Sequence, residues 1–173
     1  DSKSWNTESI IGLKRFLDRI WNLYQSFLVD FAKQRDWTNQ ENDYYLAKTI
    51  REVTRDIEKL KFNTAISSLM KYINYITGRK TRDVGFLNIT HAFTFLKLLY
   101  PFTPHIATEL FDQVQKKDKG KSGHENIALA REWPLKMIEK GEIEEVKIQD
   151  IAIIIQINGK LRDEVQVPAG ASE

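Results

Sequence analysis

Arg15 and Arg19 stand four residues apart, with Lys14 beside them, in a segment whose apolar residues recur at helical spacing. Groups at that separation share one helix face. A guanidinium is a permanent cation with a planar fork of donors, a geometry that grips phosphate oxygens in pairs. Spacing alone leaves two readings open: a clamp on the backbone of a nucleic acid, or a solvated basic edge neutralised by Asp18 or by a neighbouring helix. Arg79, Lys80 and Arg82 form a second basic cluster between two helical stripes, and Lys160 with Arg162 form a third just past Asn158-Gly159. Either cluster could meet a phosphate, and either could simply face solvent. Lys116, Lys117, Lys119 and Lys121 lie among glycines and polar residues and read more plainly as a solvated run.

Other chemistries lack their residues. The chain has no cysteine and only 3 histidines. The histidines are scattered without ligand spacing, so neither a disulfide framework nor a cysteine-ligated zinc site is available. No glycine-rich phosphate loop and no nucleophile–histidine–acid ordering occurs. Glu144-Glu145 reads as a solvated turn rather than a catalytic pair. His105, just after a helix-start proline, reads as a capping or packing residue. Catalysis within this chain is not expected.

The elements that must position the cations show as apolar stripes. With 173 residues, 42% hydrophobic and 29% charged, the composition is that of one globular domain, or one with a small appendage. A domain of that size buries roughly 70% of its unfolded surface, enough for a core without staples. The net charge of +2 does not announce nucleic-acid binding, so the placement of the basic residues must decide it. No apolar run approaches the about 20 residues that a bilayer span needs, and no signal peptide opens the chain. A cytoplasmic location is expected.

Ile10, Leu13, Leu17, Ile20, Tyr24, Leu28 and Phe31 step at three and four residues, predicting one long amphipathic helix that starts near Thr7-Glu8. Trp21 is expected in the core. Residues 37–43 are polar and read as loop. Leu46, Ile50, Val53, Ile57 and Leu60 make a second stripe. Phe62, Ile66, Leu69, Ile73 and Ile76 make a third almost at once, closed by Gly78 as a C-terminal cap. A fourth holds Phe86, Ile89, Phe93, Leu96 and Tyr100 and must stop before Pro101. A fifth starts with Thr103 as N-cap and Pro104 in the first helical position. Five narrow stripes with short connections predict a bundle. Residues 116–126 turn polar and glycine-bearing, a flexible loop. Periodicity switches from helix to strand near Val146, which sets a boundary near Gly141.

Beyond it, Ile151, Ile153, Ile155 and Ile157 alternate along a strand, Asn158-Gly159 fits a tight primed turn, and Leu161, Val165 and Val167 return. A lone hairpin is marginal in water, so its isoleucine face is expected to pack on the bundle or on sequence beyond it. The wording of this stretch, Asn158-Gly159-Lys160-Leu161-Arg162 with Val167-Pro168-Ala169 after it, resembles the start of the C-terminal domain of bacterial-type leucyl-tRNA synthetases. Earlier segments are similar to the same family. Gly12 to Trp21 resembles its first bundle helix, and Lys59 to Ile66 a break between two later ones. Pro101-Phe102-Thr103-Pro104-His105-Ile106-Ala107 resembles a helix entry shared with isoleucyl, valyl and methionyl relatives, and Trp133-Pro134 a Trp-Pro pair. Their order along nearly the whole chain, ending in the leucyl-type hairpin, carries the resemblance.

The resemblance implies a mainly α fold: a helix bundle of the class I synthetase anticodon-binding type over residues 1–141, with a polar loop near 116–126. Residues 142–173 would be the start of a following α+β domain, its β-hairpin, cut short. A chain that opens at Asp1 rather than Met and ends where the family continues is expected to be a C-terminal piece. The parent would join leucine to its tRNA using ATP and Mg²⁺. This piece lacks both the His-x-Gly-His-type signature and the Lys-Met-Ser-Lys-Ser loop, so it would be inactive alone and hold no cofactor or metal; Ser2-Lys3-Ser4 is a coincidental echo. Its partners would be leucine tRNA and the catalytic and editing domains of the same enzyme, with no membrane and a monomeric state. In the family the Arg-Phe-Leu-x-Arg step approaches the inner corner of the tRNA. That assigns Lys14, Arg15 and Arg19 to tRNA contact and leaves Arg79, Lys80, Arg82, Lys160 and Arg162 as further candidates. Two alternatives remain. One is the matching domain of an isoleucyl, valyl or methionyl synthetase, against which the hairpin wording speaks. The other is a helical module that binds protein, which scattered basic residues and an exposed apolar patch would favour.

Overall fold

The apolar stripes fold as helices that bury one face each. The computed structural model describes residues 7–34, 40–78, 87–119, 133–139, 143, 150–157 and 160–168. The helices are α1 (Thr7–Val29), α2 (Phe31–Gln34), α3 (Gln40–Glu58), α4 (Phe62–Gly78), α5 (Ile89–Leu99), α6 (Pro104–Lys119) and the short α7 (Leu135–Glu139). Ile20, Tyr24 and Phe27 of α1, Leu46 and Ile50 of α3, Leu69, Tyr72 and Ile73 of α4 and Phe95 and Leu96 of α5 are buried in one core. Leu110 and Val114 close it from α6.

Two buried polar clusters fix how the helices meet. Asn88 caps α5, its side chain accepting from the His91 N–H at 2.8 Å. His91 then sits inside the core with Nε2 2.6 Å from Asp43 Oδ1 of α3 and Nδ1 3.3 Å from the Tyr72 hydroxyl of α4. In the imidazole tautomer with its proton on Nε2, the ring donates to Asp43 and accepts from Tyr72, so neither nitrogen is orphaned. One residue on, the Ala92 carbonyl accepts from Tyr24 of α1 at 2.7 Å. Beside them the Tyr75 hydroxyl donates to Asn42 at 2.9 Å, with its ring stacked on Tyr45. The other ends of these helices meet through Phe62 and Phe102, whose rings are edge to face with centroids 6.4 Å apart. Trp133 pins the later segment to α3 by donating to Thr54 Oγ1 at 2.7 Å.

Several expectations need correction. Helix α1 stops at Val29, and Phe31 opens α2 instead of extending it. Ile10 and Leu13 continue the stripe in sequence but are 42% and 43% exposed, because no described element covers those turns. Gln40 to Asp43 are helical rather than loop; Glu41 and Asp43 favour the positive end of α3. Leu60 leaves the second stripe: it is 75% exposed in the α3–α4 turn with φ 55°. The Lys61 N–H reaches the Asp56 carbonyl at 2.7 Å and the Leu60 N–H reaches Ile57 at 2.9 Å, the two bonds of a Schellman end, which demands a left-handed residue. Phe62 is half exposed as well. Gly78 is the last helical residue of α4 and has no left-handed φ, so it does not act as that kind of cap. Thr103 precedes α6 as expected, but its hydroxyl is buried without a hydrogen-bond partner among the described residues. Lys116 and Lys117 belong to α6, not to a loop, because the helix runs to Lys119.

Strands β1 (Asp150–Ile157) and β2 (Lys160–Pro168) pair antiparallel. Ile157 faces Lys160 and Gln156 faces Leu161, but Ile155 faces Asp163, so Arg162 is the extra residue of a bulge. Asn158, Gly159, the segment 120–132 and the boundary near Gly141 lie outside the described residues.

Burial raises the Tyr24 hydroxyl well above its ordinary 10.0, with nearby Tyr72 adding to it. Burial raises Tyr72 as well, followed by Tyr75 and Asp43. Below pH 10 both tyrosines are protonated in the folded and unfolded chain. Above it the unfolded chain releases their protons first, so stability falls with rising pH by up to about 1.4 kcal/mol per unit for each tyrosine. Ultraviolet titration should show Tyr24 and Tyr72 ionising only as the helices unfold; early ionisation of all 6 tyrosines would contradict their burial.

Candidate nucleic-acid interface

The solvent side of α1 carries the cations. Lys14, Arg15 and Arg19 are all exposed, but their surroundings differ. Lys14 Nζ pairs with Asp18 Oδ2 one turn on at 2.7 Å, with side chains 75% and 54% exposed. The pair balances its own charge locally. Arg19 Nη1 donates to the Asn74 Oδ1 of α4. A neutral amide holds the guanidinium in place without cancelling its charge, and it ties α1 to α4 at the surface. Arg15 has no carboxylate partner among the described residues. Two features of the solvated-edge reading are present, Lys14 paired with Asp18 and Arg19 leaning on a neighbouring helix, and among the described residues no carboxylate pairs with Arg15 or Arg19.

Trp21 is 37% exposed, not in the core. It follows Lys14 and Asp18 at seven- and three-residue steps on the next ridge, which the core does not reach. Further along that ridge Gln25 donates to Gln113 of α6 at 2.8 Å, and Gln113 donates to Glu109 at 2.7 Å. Trp21 stands two residues from Arg19 and six from Arg15, so its indole lies on the other flank of α1 and not beside the arginines.

The other predicted site residues are not brought to this ridge. Arg79, Lys80 and Arg82 lie outside the described residues, and of Lys160 and Arg162 only the strand backbone is described. His105 is exposed rather than packed. A further basic row lies on α3. Lys48, Arg51 and Arg55 line a groove of about 530 Å³ along α3, together with Tyr44, Glu52 and Leu135. Their spacing of three and four was visible, but the interleaved acids hid it. Those acids also offset it: Arg55 pairs with Asp56 at 3.2 Å, and Glu58 sits in the same wall. Among the described residues no group of three acids, histidines or cysteines could hold a metal ion. No helix among them is long and apolar enough to cross a membrane.

The described helices form a bundle with basic residues on the solvent side of its first helix. Residues 43–173 match the family described as the anticodon-binding domain of tRNA ligase, and the chain belongs to that family. More narrowly, its relatives are leucine–tRNA ligases. That of Borreliella afzelii (strain PKo) is 38% identical over 95% of the chain, and that of Borrelia hermsii (strain HS1 / DAH) 35% identical over 100% of it. The chain spans only 17% and 18% of those relatives' lengths. In fold it is similar to the agnB2 LeuRS of Agrobacterium radiobacter K84, solved as a ternary complex with tRNA and LeuAMS. The TM-score is 0.63 and the identity 24%, over 99% of this chain and 21% of that one.

The Lys14–Asp18 pair is exposed and helical, so Asp18→Ala should change stability by less than about 0.5 kcal/mol. Urea unfolding checks this; a loss above about 1 kcal/mol would mean that Asp18 anchors the helix rather than tuning its charge.

Proposed function

We propose that the chain is the tRNA-contacting bundle of a leucine–tRNA ligase, whose whole length joins leucine to its tRNA using ATP and Mg²⁺. The observation that carries the reading is the match to leucine–tRNA ligases along 95–100% of the chain. The match includes the α1 ridge, where Arg15 and Arg19 keep their charge. ATP and Mg²⁺ would be held elsewhere in the parent, since the motifs that grip them in class I synthetases do not occur here. The piece itself would be inactive, monomeric and cytoplasmic, and the β1–β2 pair would open the next domain.

Its part in the reaction is positional. Arg15 and Arg19 would bind successive phosphates of leucine tRNA, and Lys14 would join them where a phosphate displaces Asp18. Arg79, Lys80, Arg82, Lys160 and Arg162 would extend the contact. Binding energy from contacts this remote raises the rate only by holding the acceptor end in a productive geometry at the distant site.

A salt titration of leucine tRNA binding tests this. Removing a cation that neutralises one phosphate should flatten the slope of log K against log salt by about 0.7–0.9. Arg15→Ala/Arg19→Ala should therefore reduce the slope by about 1.4–1.8 and weaken binding, leaving the unfolding midpoint nearly unchanged. An unaltered slope would remove the ridge from the interface.

A further inference from the structure

Arg19 Nη1 donates to Asn74 Oδ1 where α1 meets α4, across 55 residues of sequence. A guanidinium has five N–H donors in a planar fork, and this bond occupies one terminal nitrogen. The Nε–Nη2 edge, the side-on pair that matches two oxygens of a phosphate, has no partner among the described residues. The surroundings also preserve the charge. Helix α4 contains no Asp or Glu, and Asp18, next to Arg19 in the chain, is 2.7 Å from Lys14 Nζ. Arg15 stands one turn before Arg19, and like charges four residues apart repel. Untethered, the two long side chains would turn away from each other. The Asn74 amide fixes one of them.

We propose that Asn74 is a positioning residue for RNA: it holds Arg19 by Nη1 so that the Nε–Nη2 edge meets one phosphate through paired hydrogen bonds. The inference rests on the leucine–tRNA ligase reading and adds a residue of α4 to the cations of α1. The residue type matters. An aspartate at position 74 would hold the same nitrogen but cancel the charge that attracts the phosphate. An alanine would leave the charge and release the side chain, so its ordering would have to be supplied at the moment of binding. Arg19 and Asn74 are both exposed, and a phosphate reaches them without opening the bundle. Substitutions at such surface positions ordinarily leave stability nearly unchanged. The effect of the bond therefore belongs to binding rather than to folding.

A double-mutant cycle of Asn74→Ala and Arg19→Ala in the full-length ligase tests this, read as the Kd for leucine tRNA over a salt series. Asn74→Ala should weaken binding about 3–10-fold, the cost of ordering one rotamer-rich side chain. Its slope of log K against log salt should equal that of the unsubstituted protein, because no cation is lost, while Arg19→Ala flattens the slope by about 0.7–0.9. In the Arg19→Ala background, Asn74→Ala should change Kd less than about twofold. Arg19→Lys keeps the charge without the fork and should reproduce the loss at an unchanged slope. Full affinity in Asn74→Ala or Arg19→Lys beside a weakened Arg19→Ala would overturn the proposal and leave the ridge in place, since charge alone would suffice. So would an equal loss in both backgrounds, which means that Asn74 meets RNA by itself. A loss matched by a lower unfolding midpoint would also overturn it, as a packing role. Binding untouched by Arg19→Ala refutes the tRNA reading of the ridge, and the positioning with it.

Discussion

His91 lies in the core with its two ring nitrogens turned to Asp43 of α3 and Tyr72 of α4, while its own N–H is taken by Asn88. A buried polar atom without a partner costs about 1–3 kcal/mol, so the ring is stable there only if all three partners hold their places. Apolar packing among α3, α4 and α5 is tolerant of small slides, since one buried methyl can replace another. The imidazole is not tolerant. It admits one register of three helices, and the stacked Tyr72–Phe95 pair at 5.5 Å packs against that register.

The surface follows from this register. With α5 fixed, the Ala92 carbonyl is fixed, and Tyr24 hangs α1 from it. With α4 fixed, Asn74 is fixed, and Arg19 leans on it. The two charges on the α1 ridge are thus set by buried bonds on the opposite face of the same helix. At the other end of the bundle the register aligns the α3–α4 and α5–α6 turns, so Phe62 and Phe102 touch and Leu60 projects beyond them. One end is tied by polar bonds and the other carries apolar knobs.

Local pattern made the helices legible. Leu46, Ile50 and Val53, or Leu69, Ile73 and Ile76, recur at helical spacing and are buried, because one helix face needs no information from elsewhere. What required partners was not legible. Ile10 and Leu13 carry the same spacing as Ile20, and only the absence of a described cover leaves them exposed. His91 reads as an interruption of an apolar stripe, since its partners lie 48 and 19 residues away. The Arg19–Asn74 bond spans 55 residues, so the sequence left open which neighbouring helix that arginine would meet. Gln40 to Asp43 have the polarity of a loop, yet acids are what a helix N-terminus attracts, and these residues open α3. The hairpin wording named a family, yet the extra residue at Arg162 is a matter of pairing that alternation could not reveal.

The dependence of the bundle on its histidine is tested most directly by a double-mutant cycle of Asp43→Ala and His91→Ala, read by urea unfolding. A hydrogen bond to a carboxylate in this setting should give a coupling of about 1.5–3 kcal/mol, with both single variants markedly destabilised. A coupling below about 0.5 kcal/mol would contradict the account, and apolar packing alone would then set the register.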